Sequence, residues 1–391
     1  MSMKNLFKIY FFQIALLFCF SCGRNNAKSV KELGLVIDIQ AEKEIFHSDM
    51  FDDYEIIPLE TTYDGLVGEI SQILLFKDLI FVLDRNLANA LFIFSRKGNL
   101  LRKIESKGMG PGELFAPVNI AFNEADQELI VFDGRQAKFL FYDVEGNFLR
   151  ENKKPELLSV FDMFFQKDYY YFIDDRVEDW HRRLLVTDRD LKEILRIDTF
   201  FDGDFRIING KKNRYFYESH DGNGFYYKER NHNRLLAIEE SKVIQQYLFS
   251  FSSLGFEPNS ERVYQAHEFS REFWKSGEYA LGDEMIDSKR YAFLSVDKGQ
   301  EVRFALWDKE KGSVNMITNM KNDMDGISPD ISGIPPLNAQ SNHLIWAIHP
   351  RDLANYHRGK NLEDNPFLEF ASKNGIDGDD NPILFIYTIK N

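Results

Sequence analysis

Two stretches decide the fold. The first reads Leu79-Ile80-Phe81-Val82-Leu83-Asp84, then Leu91-Phe92-Ile93-Phe94, then Arg96-Lys97-Gly98-Asn99-Leu100-Leu101-Arg102. The second reads Glu128-Leu129-Ile130-Val131-Phe132-Asp133, then Lys138-Phe139-Leu140-Phe141-Tyr142, then Glu145-Gly146-Asn147-Phe148-Leu149-Arg150. Asp84 and Asp133 lie 49 positions apart, and Gly98 and Gly146 lie 48 apart. Ile70 to Ile73 precedes the first stretch, and Val118 to Phe122 precedes the second. Each unit thus carries four apolar runs of strand length, separated by turn residues. The Gly-Asn pairs suit tight hairpin turns, where glycine tolerates positive φ.

Weaker copies follow. One runs from Val160 through Tyr169-Tyr170-Tyr171-Phe172-Ile173-Asp174 to Ile197, another from Tyr215 through Leu235-Leu236-Ala237-Ile238 to Phe249. A fifth spans Tyr291 to Ile317, and a sixth combines His343 to Ile348 with the terminal Ile383 to Tyr387. Four strands in about 40–50 residues is the period of a propeller blade. The expectation is an all-β, six-bladed β-propeller, with seven blades possible from length alone. Tyr54 to Leu59 is a spare strand able to complete the last blade and close the ring. The 36 Phe suit the gaps between blades. Two helical insertions are expected. Residues 260–276 carry Val263, Ala266, Phe273 and Trp274 on one face and stop at Gly277. Residues 366–374 are capped by Asn365, begin at Pro366 and end at Gly375.

The N-terminus reads as an export signal. Lys4 and Lys8 precede an apolar run from Ile9 to Phe20, too short to span a bilayer comfortably. Ser21 then offers a cleavage position before Cys22. The pattern resembles a bacterial lipoprotein signal, which implies lipidation of Cys22; a poor transmembrane anchor or an ordinary signal peptide is the alternative. The Cys19–Cys22 spacing lies at the end of the signal, so redox chemistry carries little weight. The expected organisation is a signal over 1–22, a tether over 23–44 and a propeller domain over 45–391.

The 391 residues hold 62 Asp and Glu against 48 Lys and Arg, a formal charge of −14. That balance argues against coating nucleic acid, and against binding anionic lipid other than through an anchor. No nucleophile elbow, phosphate loop or paired-His zinc helix is present. His267-Glu268 lacks a second His, and Leu306-Trp307-Asp308 is a single copy. Asn322 to Gly326 and Asp377 to Asp380 are acidic turns without the full spacing of a calcium loop. No catalytic residue and no cofactor is assigned, with a divalent metal possible.

The repeats resemble NHL-type propeller repeats at Gly110 to Ala121. More closely, the chain resembles the six-bladed propeller lipoproteins of Bacteroidota. The matching features are the Cys-ended signal, Ile57-Pro58-Leu59-Glu60-Thr61-Thr62, the loop Gly108 to Glu113, and Asp379-Asp380-Asn381-Pro382. The resemblance implies a fold and an envelope location. It implies no activity.

In a propeller the second-to-third strand loops and the blade-to-blade loops share one face. Asp84-Arg85, Asp133-Gly134-Arg135 and Asp174-Asp175-Arg176 open such loops, and Lys107 with Gly108 to Glu113 forms another. Arg85, Lys107, Glu113, Arg135 and Arg176 are therefore candidates for a ligand face, where Arg could grip a carboxylate or sulfate. The structural alternative has Asp closing a turn and Arg pairing with the next blade. Two functions remain open beside a purely structural envelope role. One is a non-enzymatic module, lipid-anchored and periplasm-facing, that binds an envelope protein, peptide or glycan. The other is an enzyme resembling gluconolactonase-like propellers, which would hold a divalent metal with Glu69, Asn119 and Asp162.

Overall fold

The structure is a computed structural model. It describes residues 30–390 apart from 106, 155–159, 175–182, 200–203, 209–213, 261, 331–337, 341 and 359–364. The signal, Cys22 and Arg176 lie outside the described residues.

The described residues build six antiparallel four-stranded units. Blade 1 begins at Gln72–Phe76, blade 2 at Pro117–Asn123 and blade 3 at Val160–Gln166. Blade 4 begins at Phe216–Glu218, blade 5 at Tyr279–Asp287 and blade 6 at Asn338–Gln340. These inner strands neighbour one another in that order, and the sixth returns to the first. The chain is an all-β propeller, as expected.

The apolar runs are continuous because the strands within each blade are covered on both faces. Side chains alternate across a strand. Along Leu79–Asp84, Ile80 and Val82 pack with Ile345, Leu384 and Ile386 of blade 6. Phe81 and Leu83 point the other way, to Ile120, Leu129 and Val131 of blade 2. Clusters of this kind fill the remaining interfaces, from blades 2 and 3 round to blades 5 and 6. Each fully buried aliphatic or Phe side chain contributes about 1.5–3 kcal/mol by leaving water. The core is therefore six wedges between blades rather than one central mass.

Phe51–Pro58 pairs antiparallel with Ile383–Ile389 and supplies the outer strand of blade 6. The ring is closed by both ends of the propeller, as read from Tyr54 to Leu59. The tether is a correction. Lys31–Phe46 is a strand, parallel to Lys242–Phe251 of blade 4 up to Ile37 and to Ser313–Lys321 of blade 5 from Ile37 onward. Its composition is polar, yet Leu33, Leu35, Ile37 and Ile39 alternate, and Leu35 and Ile37 are buried between the two outer strands. The strand staples blades 4 and 5 together.

The helical insertions are at Ala266–Ser276, ending on Gly277 at φ 68°, and at Pro366–Asn374, ending on Gly375 at φ 63°. Asn365 caps the second by accepting from Phe367 N and Leu368 N. On the first, Phe269 and Phe273 are buried against Phe205, Phe256 and Tyr264, whereas Trp274 is exposed. Val263 belongs to a short strand before the helix, beside Arg206–Ile208. A third helix, Pro350–Tyr356, was not signalled by the blade pattern.

Candidate functional site

In blades 1 and 2 the Asp at the end of the second strand is a loop clamp. Asp84 is fully buried. Its Oδ2 accepts from Gly68 N at 2.8 Å and Glu69 N at 2.9 Å. Its Oδ1 accepts from Asn86 N at 3.2 Å and Leu87 N at 2.9 Å. One carboxylate thus fixes both the loop entering blade 1 and the turn after its second strand. Asp133 repeats the device in blade 2, accepting from Phe115 N, Ala116 N, Arg135 N and Gln136 N. In blades 1 and 2 the acid of the proposed acid-plus-Arg pair is therefore spent on backbone.

The rest of the proposed ligand face divides. Arg85 is half-buried and lines the central channel. Arg135 is exposed at the rim, where its backbone N–H alone meets Asp133. Lys107 is exposed, and its N–H donates to Leu114 O. Glu113 folds back on its own loop: its Oε2 accepts from Gly110 N at 2.8 Å. A Cβ on Gly108 would come within 2.4 Å of that oxygen, so a larger residue there would push the Glu113 carboxylate out of its place. Buried Lys138 completes the loop, donating to Gly110 O and pairing with Glu151 at 3.0 Å.

The suggested metal set does not fit. Asn119 and Asp162 do meet, with Asn119 Nδ2 donating to Asp162 Oδ1 at 3.0 Å. But Asp162 also accepts from Met163 N at 2.9 Å and Tyr215 N at 2.7 Å. Burial holds its carboxyl above the usual range despite those bonds. Glu69 is exposed and takes Asn86 Nδ2 at 2.8 Å. A carboxylate saturated by three protein donors offers little to a cation that wants six to eight oxygens. Among the described residues no group of three or more His, Cys, Asp or Glu could hold a metal. The acidic turns are likewise occupied. Asp323 accepts from Ser48 N, Asp325 from Ile327 N and Ser328 N, and Asp380 from Asp377 N.

What the inner strands do enclose is a cavity of about 650 Å³ along the propeller axis. It runs from Glu69, Arg85 and Arg214 at the loop end to Glu124, Lys167 and Gly222 at the hairpin end. Amide side chains stitch its wall from blade to blade. Gln72 exchanges two hydrogen bonds with the backbone of Ile120, at 2.7 and 2.8 Å. Gln340 does the same with Leu75, and Gln166 donates to Gly222 O and Gly224 O. With Asn119 and Asp162, these groups bind inner strands that are too splayed to pair directly.

One wall is irregular. In blade 5, Leu281 pairs with Val296 and Met285 with Leu294, so three residues face Ser295 alone. This bulge brings Glu284 to the cavity, anchored by its N–H donating to Ser295 Oγ at 2.7 Å. Bulges commonly re-aim a side chain beside a functional site. Beside it in blade 4, Arg214 donates from Nε to Phe216 O at 2.9 Å and lies 4.8 Å over the ring of Tyr217, whose hydroxyl donates to Asp283 O. Arg214, Glu218 and Glu284 were not singled out from the repeats. The available signal was Gly282-Asp283-Glu284 interrupting an otherwise apolar inner strand.

Two solved structures share the fold. A protein of Bacteroides fragilis described as exported is 15% identical with a TM-score of 0.70, covering 92% of this chain and 100% of that chain. A member of the DUF4221 family from Bacteroides vulgatus is 11% identical with a TM-score of 0.54, covering 87% and 98%. No curated protein matches the sequence. Among the described residues no helix is long and apolar enough to cross a membrane. Residues 34–388 match a single family description from the stapling strand to the closing strand, and the chain therefore belongs to that family, the domain of unknown function DUF4934.

Proposed function

We propose that this chain is an exported six-bladed propeller, lipid-anchored through Cys22 and facing the periplasm, that binds a ligand in its central channel. The observation that carries the reading is the axial cavity of about 650 Å³ walled by the inner strands. Ligand pockets generally span about 300–1,000 Å³ and combine apolar walls with a few convergent polar groups. Phe164, Phe165 and Trp346 supply the former here, and Arg85, Arg214 and Glu284 the latter. The likeness to a Bacteroides protein described as exported supports the envelope location. A segment of an envelope protein, a peptide or a glycan fits the dimensions.

The rim loops hold their acidic groups internally, so they serve as a frame for the channel mouth. The test is a binding screen of peptides and oligosaccharides against the full chain in detergent, with two blocking variants. Ser71→Trp narrows the loop end and Ala125→Trp narrows the hairpin end. At least one should weaken a true channel ligand about ten-fold or more, while Arg135→Ala at the rim leaves it unchanged. A ligand indifferent to both blocks but lost in Arg135→Ala would overturn the channel reading.

A further inference from the structure

The strand Lys31–Phe46 bears on how the propeller stands on a membrane, an inference that rests on the lipid anchor proposed above. Nine positions separate Cys22 from Lys31. In any conformation nine residues reach about 30 Å at most. Lys31 pairs with Gln245 on the outer edge of blade 4, so an anchor at Cys22 is tied to that rim. A domain of this size is about 50 Å across. Blade 1 lies opposite blade 4 in a ring of six. Its outer edge therefore cannot rest on the bilayer that holds Cys22.

The rim of blade 4 carries a surface suited to lipid. Along the stapling strand, Leu35 and Ile37 turn inward and are buried with residues of blades 4 and 5. The alternate residues turn outward. Val36 is 57% exposed, and a Cβ on Gly34 would meet open space. Leu248 pairs with Gly34 and so shares its outward face, as does Ile244 four residues earlier on the same strand. Both are exposed, and so is Leu33 beside them. The exposed charges at the start of the two strands are Lys31 and Lys242 against Glu32 and Glu240, and they cancel. In a chain of −14, a neutral apolar rim approaches headgroups without the repulsion met elsewhere. Four apolar side chains are also too few for a second copy, because a stable protein interface uses about 20–30 residues a side.

We infer that the outer edge of blade 4 rests on the lipid surface, with Leu33, Val36, Ile244 and Leu248 dipping among the headgroups beside the acyl chains of Cys22. The propeller then stands on its rim. Its axis lies along the membrane plane, and both mouths of the channel stay open.

Depth-dependent quenching tests this stance on the full lipidated chain in phosphatidylcholine vesicles. One cysteine at a time carries a nitrobenzoxadiazole label: Val36→Cys and Ile244→Cys on the rim, Leu101→Cys on blade 1, Leu149→Cys on blade 2 and Met109→Cys on the loop face. All five replace exposed side chains, which spares the core. Lipid with a spin label near the headgroup should quench the labels at Val36 and Ile244 at least two-fold and leave the other three unchanged. Quenching at Leu101, Leu149 or Met109 as strong as at Val36, or at none of the five, would overturn the stance and leave the anchor standing. A chain that fails to float with the vesicles would overturn the anchor and the stance together. An unquenched Val36→Cys that instead forms a disulfide between two chains would put a second copy on the rim and overturn the inference as well.

Discussion

At the scale of single residues, buried polar groups explain more of this protein than exposed ones. Asp84 accepts four backbone hydrogen bonds from two separate loops. An orphaned buried donor costs about 1–3 kcal/mol. Asp84→Ala should therefore destabilise the chain by about 3 kcal/mol or more in urea unfolding, and Asp84→Asn by less. A change below about 1 kcal/mol would mean that water replaces the clamp. His47 makes a second case. It is fully buried, edge-on to Phe51 and Tyr387, and neither ring nitrogen has a hydrogen-bond partner among the described residues. Burial pushes it from its ordinary 6.5 down to about 4, against the pull of Asp325. His232 is pushed down to about 4 in the same way. Between pH 6.5 and 4 the unfolded chain binds protons that these folded residues refuse. Their effect is that stability falls as pH drops through that window, by about 1.4 kcal/mol per pH unit for each. Asp297, raised to about 6, works in the opposite direction over the lower part of the window. His47→Phe isolates one group. Its stability relative to the parent should rise by about 1–2 kcal/mol between pH 7 and pH 5, and a constant difference would contradict the assignment.

At the scale of elements, the hairpins and strands with strict spacing were legible and the irregular ones were not. Gly98 and Gly146 sit at φ 88° and 78°, where the Gly-Asn pairs placed their turns. A Cβ on Gly98 would lie 2.1 Å from Pro58 O. Gly98→Ala should therefore cost about 1–3 kcal/mol through strain at the turn, measurable as a lowered urea midpoint. The closing strand was readable because Ile56 and Ile57 follow the pattern of the other outer strands. The stapling strand was not, because its alternation of Leu33, Leu35, Ile37 and Ile39 sits among Lys, Glu and Asp. Ile37, fully buried where the strand passes from blade 4 to blade 5, tests that role. Ile37→Asp should lower the melting temperature by several degrees, whereas a mere tether would tolerate it. The bulge at residues 282–284 was missed for a physical reason. It depends on pairing with Ser295, and local periodicity holds no record of a partner strand.

At the scale of the whole molecule, the repeat revealed the fold because every blade interface needs the same two-faced apolar strand. It revealed little of the site, because a channel is assembled from one strand of each blade and its chemistry lies where blades differ. Glu69, Asn119 and Asp162 occupy comparable starting positions in three blades. Only Asn119 and Asp162 meet, and they meet as a structural stitch. Arg214 and Glu284 come from the weakest repeats, yet they line the channel. The proposed lipidation belongs to this scale as well. Cys22→Ser should leave the protein soluble in the envelope fraction instead of membrane-bound, and unchanged fractionation would contradict the anchor.

The most direct measurement is a crystal structure of the full chain soaked with the tightest ligand from the binding screen. The account predicts density on the propeller axis between the inner strands, with Glu284 within hydrogen-bond reach of the ligand. Density confined to the rim loops around Arg135 and Glu113, with the channel unchanged, would contradict it.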